Sequence, residues 1–265
     1  MSTRPTEQGK AGQMKMLLIG ANSFVGKRIA RHFSGKFDLI GTYHKTKNRE
    51  LQKQAELDLT MKDDVKKTLS NIRPELIVIA AAISTNSESV ERIKSVNLEG
   101  IQNILIAIRE LALKTKIIFF STEQVFDGEK GMYSEADTPN PINNYGRSKY
   151  DAEKLIMDCK ECEHIILRCV LVIGTKEEGD HDNFLTMVLA SGKESQNHRL
   201  QVFKDAFRTT LFVDDIPLII EKLIEKGFTG TINLSNHSDL SYLDIAKIIE
   251  RKFGVRKEYD AVECS

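Results

Sequence analysis

"MKMLLIGANSFVGKRIA", residues 14–30, decides how this chain is read. Met16 to Ile19 form an unbroken apolar run, the pattern of a strand buried on both faces of a sheet. Gly20 ends the run, and Gly26 falls in the opening turn of a helical pattern that reaches Phe33. Strand, glycine-bearing turn and helix in this order let backbone N–H groups and a helix N-terminus approach a pyrophosphate. In the pattern Gly-x-x-Gly-x-x-Gly the middle position here is Ser23, whose hydroxyl can donate to phosphate. Asn22, Ser23, Phe24, Val25 and Gly26 are thus candidate contacts of a dinucleotide, together with Gly20. The alternative is a tight strand–helix turn that binds nothing.

Working outward, apolar runs alternate with helical patterns. Strands are expected at 38–43, 55–59, 76–82, 116–121 and 164–173, with helices through 61–72, 89–113 and the segment that holds Tyr145. That alternation predicts an α/β fold, a doubly wound parallel sheet covered on both faces. Beyond residue 174 the rhythm loosens. A helix near 183–191, a strand at "LQVF", a strand running into a helix over 208–226, "TINLS" and a helix over 241–253 predict a small C-terminal lobe. The expected division is a tail at 1–13, a nucleotide-binding domain at 14–168, and a substrate-binding lobe at 169–265 with segments returning to the sheet.

After the second strand comes "YHKTKNRE" rather than an acidic residue. An acidic side chain there holds the adenosine ribose of NAD, whereas cations suit a 2′-phosphate. His44 and Lys45, with Lys47 nearby, therefore favour NADPH, with NADH the alternative; a solvated basic loop is the bland reading. Asp58, at the end of the third strand, is placed to contact adenine.

"NNYGRSKYDAEKL", residues 143–155, puts Tyr145 and Lys149 one helical turn apart on one face. A free phenol has a pKa near 10 and is a poor acid–base group at neutral pH. An adjacent ammonium favours the phenolate, so the pair is expected to lower the pKa of Tyr145 and fit it for proton transfer at a carbonyl or carbinol oxygen. Thr122, at the carboxyl end of the fifth strand, lies where such sheets bind ligands.

Composition limits the partners. The 265 residues carry 38 Lys+Arg and 38 Asp+Glu, so net charge is zero and nothing marks a nucleic-acid footprint or an anionic membrane partner. No apolar run has membrane-spanning length, and the first 13 residues lack the apolar core of a secretory signal, so a cytoplasmic location is expected. "CKEC" (159–162) has metal or redox spacing with His164 nearby, but no second ligand pair accompanies it. Free thiols and no metal are the expectation.

Gly20…Gly26, Ala80–Ala82, Asn97 in "SVNLEG", "STEQVFDGEKGMYSEADTPNPINNYGRSK" (121–149) and Leu167–Arg168 together resemble the extended short-chain dehydrogenase/reductases. Within them the resemblance is to the dTDP-4-dehydrorhamnose reductase family, from about residue 14 to the C-terminus. It implies a Rossmann domain and an NADPH-dependent reductase of a 4-keto-6-deoxy sugar nucleotide, in which Thr122, Tyr145 and Lys149 are catalytic. It also implies cofactor contacts from Leu59, Ala80, Ala81, Ala82, Tyr145 and Lys149, with Asn97 supporting the lysine through its helix. Glu123, Gln124, Val125 and Phe126 would line the substrate, Asn183 and Phe184 would border it, and Arg208 would grip its diphosphate. A homodimer is implied by resemblance alone. Departures from the family pattern are Glu123–Gln124 for Asp-Tyr, Ser23 for glycine, and "KDAFRTT" (204–210) where relatives carry Asp-Gln-x-Gly-x-Pro-Thr. Two other functions stay open: a sugar nucleotide epimerase or dehydratase with tightly held NAD, and a non-catalytic cofactor-binding subunit resembling that of methionine adenosyltransferase.

Overall fold

The computed structural model describes residues 12–84, 88–191, 199–236, 240–257 and 259–264; of the expected N-terminal tail, residues 1–11 lie outside the described residues. Strands β1 (Lys15–Ile19), β2 (Asp38–Tyr43), β3 (Gln54–Glu56), β4 (Leu76–Ile79), β5 (Thr115–Thr122), β6 (Cys162–Cys169) and β11 (Gly230–Leu234) form one sheet in the order β11-β6-β5-β4-β1-β2-β3. Every pairing in it is parallel.

Alternation along the strands sends side chains to two cores. Leu17, Ile19, Ile77 and Phe119 face one, closed by α2 (Lys62–Ile72), α4 (Gly100–Glu110) and α5 (Asn144–Met157). Met16, Leu18, Val78 and Ile118 face the other, closed by α1 (Phe24–Phe33) and α7 (Asp215–Glu225). The order β4-β1-β2 runs outward in both directions from β1 and β4, and the crevice at their carboxyl ends is where such sheets bind ligands.

Three details position that crevice. Gly20 has φ +85°, and a Cβ there would lie 2.6 Å from the backbone nitrogen of Ala81; only glycine lets the turn after β1 lie against the end of β4. A Cβ on Gly26 would run into the Gly20 carbonyl oxygen, so the helix packs directly on the turn. A Cβ on Gly146 would strike the Gln124 carbonyl oxygen, so α5 closes onto the turn that follows β5.

The expected third strand, 55–59, is shorter. Asp58 leaves it to accept hydrogen bonds from Thr60 N at 2.9 Å and Thr60 Oγ1 at 2.7 Å, a local turn that competes with strand pairing. The expected helix over 89–113 is interrupted: α3 (Val90–Lys94) passes through a π-helical stretch, Ser95–Glu99, into α4. The expected strand over 164–173 breaks at Val170 into β6 and β7 (Leu171–Ile173), and β7 leaves the sheet to pair with β10 (Thr210–Phe212).

After β7, α7 and β11 return to the sheet. Ile173, Leu185, Val188, Val202, Ile245, Ala246 and Ile249 form a separate apolar cluster built from α6 (Phe184–Ala190), β8 (Leu200–Phe203) and α8 (Tyr242–Phe253). The two-residue strands β9 (Phe207–Arg208) and β12 (Leu240–Ser241) pair antiparallel beside it. Among the described residues, no helix is long and apolar enough to cross a membrane.

Candidate active site

A cavity of about 390 Å³ opens at the carboxyl ends of β1, β2 and β4. Its wall includes Gly20, Asn22 and Ser23 from the turn, His44 and Lys45 after β2, and Asp58, Leu59 and Ala81. Asp58 accepts from Thr60 and lies 3.4 Å from His44 Nε2. Its carboxyl is held below the usual range although burial pushes the other way: the Thr60 hydrogen bonds, then His44 and Arg92, outweigh it. Arg92, on α3, lines the same wall and was not singled out from the sequence. It lies 48 residues from His44, and no local motif marks it.

Ser23 does not offer its oxygen outward alone. It caps α1, accepting from Gly26 N at 3.0 Å. Asn22 donates to the Thr46 carbonyl, which ties the turn to the loop after β2. Phe24 lies under the Arg28 guanidinium at 4.7 Å, and neither it nor Val25, Gly26, Ala80 or Ala82 lines the cavity. Lys47 sits over the Tyr43 ring at 5.6 Å. Asn97, 2% exposed, bonds both Ile83 N (2.8 Å) and Ile83 O (2.9 Å) and reaches Ser148 Oγ at 3.1 Å. It therefore clamps the π-helical stretch to the strand end and to α5, one residue from Lys149.

Along the same sheet edge, at β5 and β6, the arrangement is dense. Asn143 caps α5, accepting from Gly146 N at 2.7 Å and donating to Gln124 Oε1 at 3.0 Å. Thr122 Oγ1 accepts from Gln124 N at 3.2 Å, which leaves its hydroxyl proton to be donated elsewhere. Thr122 is paired in register with Cys169 of β6. Lys149 is 1% exposed, and its ammonium lies 3.9 Å from the centre of the Phe119 ring. Beneath it, Glu153 takes a two-pronged ion pair from Arg168 (2.8 to 3.2 Å) and a hydrogen bond from Ser121. Arg168 in turn covers Phe126 at 5.1 Å.

The electrostatics reverse the sequence expectation for Tyr145. Burial drives the phenol above its ordinary pKa, helped by neighbouring Cys169 and Glu123. Burial also lowers Lys149 to about 7, against the opposing pull of Glu153 and Cys169. Cys169 is pushed up to about 12 by burial, against the pull of Lys149. Desolvation is the largest cause of both shifts, and Lys149 is not among the groups that shift Tyr145. The sequence offered helical spacing and no measure of burial.

Of the expected substrate residues, only some face open space. Val125 is fully buried, and Phe126 stacks on Tyr133 at 4.4 Å. Asn183 caps α6 and bonds Gly174 O at 2.9 Å, and Phe184 packs edge-on against Tyr242. Core packing and helix capping occupy these side chains. Arg208 Nη1 lies 3.0 Å from Glu123 Oε1. Burial raises the Glu123 pKa to about 7, against the pull of Arg208. Cys159 and Cys162 are buried free thiols, their sulfurs 2.7 Å apart. Among the described residues, no group of three or more His, Cys, Asp or Glu side chains could hold a metal ion.

The chain is 29% identical over 223 residues to dTDP-4-dehydrorhamnose reductase of Aggregatibacter actinomycetemcomitans, covering 82% of this chain and 69% of that protein. It is 28% identical over 215 residues to methionine adenosyltransferase 2 subunit beta of Danio rerio, covering 80% of this chain and 64% of that protein. Its fold matches a crystal structure of a hypothetical dTDP-4-dehydrorhamnose reductase from Sulfolobus tokodaii with TM-score 0.82 and 28% identity, over 95% of this chain and 87% of that one. Residues 14–264 match the RmlD substrate binding domain family. The chain therefore belongs to that family, and with it to the extended short-chain dehydrogenase/reductases, a class of NAD(P)-dependent oxidoreductases.

Proposed function

We propose that the chain reduces a 4-keto-6-deoxy sugar nucleotide with NADPH. The observation that supports this reading is that Tyr145 and Lys149, on α5, both feel Cys169, the register partner of Thr122 at the end of β5. The residues present fit a dinucleotide. Gly20, in the left-handed region, lets the turn close against Ala81 and sets the turn residues Gly20, Asn22 and Ser23, at the start of α1, on the cavity wall. His44 and Lys45 on the cavity wall suit the extra phosphate of NADPH. When bound, the cofactor supplies hydride to the keto carbon.

The chain's own residues manage the oxygen. Thr122 donates its free hydroxyl proton to orient the carbonyl. Tyr145 keeps its proton at neutral pH, as a reduction requires, and gives it up as negative charge develops on that oxygen. Lys149, lowered by burial to about 7, would hold the ribose of the bound cofactor. Asn97 fixes the register between α5 and the strand ends. The apolar cluster of α6, β8 and α8, with Arg208 at its edge, forms the substrate lobe in this reading.

The test is a coupled measurement with purified protein, NADPH or NADH, and dTDP-, UDP- and GDP-linked 4-keto-6-deoxy sugars. The expected result is one NADPH consumed per sugar reduced, faster than with NADH. No consumption with any of these keto sugars, alongside tight cofactor binding, overturns the reading. The 28% identity to a methionine adenosyltransferase beta subunit favours a second reading, a cofactor-binding partner subunit. Comigration with a methionine adenosyltransferase catalytic subunit, without NADPH consumption, would select it.

A further inference from the structure

Arg208 is already engaged. Its Nη1 meets Glu123 Oε1 at 3.0 Å, a contact between residues 85 apart in sequence. It joins the turn after β5 to β9, which is held by its pairing with Leu240 on β12. Glu123 stands between Thr122 and Gln124, so the turn that carries the candidate hydroxyl also carries this ion pair. The arginine read as the diphosphate contact thus has its Nη1 paired with a carboxylate of the same chain, while its side chain stays 38% exposed.

We propose that Glu123 is a specificity-determining residue that masks Arg208, and that a sugar nucleotide enters by displacing the carboxylate from the guanidinium while Glu123 takes up a proton. The inference rests on the reading of Arg208 as the diphosphate contact. The exchange is balanced: Arg208 keeps its charge, the diphosphate replaces one anionic partner with another, and one proton passes from solvent to Glu123. Two features support it. A carboxylate stripped of its only strong cation and left beside a dianion is costly to keep charged. Even while paired, burial already holds Glu123 near pH 7. The groups facing it are Arg208 on β9, Tyr145 on α5 and the Cys169 thiol on β6, with Lys149 beyond Cys169. Arg208 is the strong cation among them; Lys149 is itself held near neutral.

The experiment is isothermal titration calorimetry of the full chain, loaded with NADPH, against dTDP-glucose and UDP-glucose. Neither has a keto group to react, and neither has a phosphate that titrates near neutrality. Each titration is run in two buffers of different ionisation enthalpy between pH 6 and 8.5. Expected for the wild type is uptake approaching one proton per site at pH 8, vanishing toward pH 6, with affinity falling up to about tenfold per pH unit above 7. Glu123→Gln is expected to bind more tightly at pH 8, with no such uptake. Glu123→Asp, one methylene shorter, is expected to fall between the two. NADPH binding checks the fold of each variant, and the wild-type proton count stands without them. Binding with no proton uptake in the wild type, or with equal uptake in Glu123→Gln, overturns the mask and leaves the sugar nucleotide reading intact. No binding of either sugar nucleotide by wild type and Glu123→Gln, with NADPH still bound, overturns both.

Discussion

The two ends of the crevice are built on opposite principles. At β1 and β2 the wall is an open cavity whose polar side chains reach solvent, and its charges come in local clusters such as His44–Lys45. At β5 and β6 the charges are buried: Lys149 is 1% exposed and Glu153 fully enclosed, the latter paired with Arg168 on another element. Exposed charges of the first kind act mainly by attracting a ligand, and solvent screens them. Buried charges of the second kind shift one another's proton affinity and carry a stability cost. The difference separates two kinds of electrostatics: screened charges around an open cavity at one end, and charges that perturb one another in the interior at the other.

Mutations at the enclosed end should break that contrast most sharply. Tyr145→Phe is expected to lower turnover by roughly 10³-fold while leaving NADPH affinity nearly unchanged, since only the proton donor is lost. Single-turnover kinetics beside a cofactor titration would check it; retained turnover would move the proton to another group. Glu153→Ala strands the Arg168 guanidinium in the interior and is expected to cost about 3 kcal/mol in a urea unfolding experiment.

Lys149→Met sharpens the comparison by separating stability from activity. The folded lysine titrates near 7, below its ordinary 10.5, so the folded state binds protons less readily than the unfolded chain. Its penalty is fully present below pH 7 and fades as pH rises toward 10.5. The methionine variant should therefore be more stable, on the order of 2 kcal/mol at pH 6, with the gain shrinking by pH 10, yet inactive. Denaturation curves at the two pH values would show it; a gain that grows with pH would contradict the assignment.

At the open end effects should be smaller. Lys45→Ala is expected to reduce the preference for NADPH over NADH by roughly tenfold, read from the two binding constants at low and high salt. Ser23→Ala, which removes the cap on α1, should cost about 1 kcal/mol in thermal or chemical unfolding.

The same division explains what the sequence disclosed. The sheet was legible because its central strands β1 and β4 and the middle of β5 are continuous apolar runs. The turn at Gly20 and the basic pair after β2 were legible because they are contiguous. Arg92 was not, because only the path of α3 brings it to the cavity wall. The burial of Val125 and the capping role of Asn183 leave no local mark in the sequence, because both depend on how the chain packs. The shift of Tyr145 was read with the wrong sign, since helical spacing reports a neighbour but not the loss of water. Strands of two residues, such as β9 and β12, are too short to leave any periodic trace.

The π-helical stretch Ser95–Glu99 has a mechanical consequence. Such a stretch holds one residue more than an α-helical turn needs, and each residue turns the helix by about 100°. Deleting one residue there would shift the helical phase and turn α3 relative to α4. Arg92 would leave the cavity wall and the Asn97 clamp on Ser148 would open together. A single surplus peptide unit thus acts as a phase setting shared by both halves of the cleft, so that neither can drift without dragging the other.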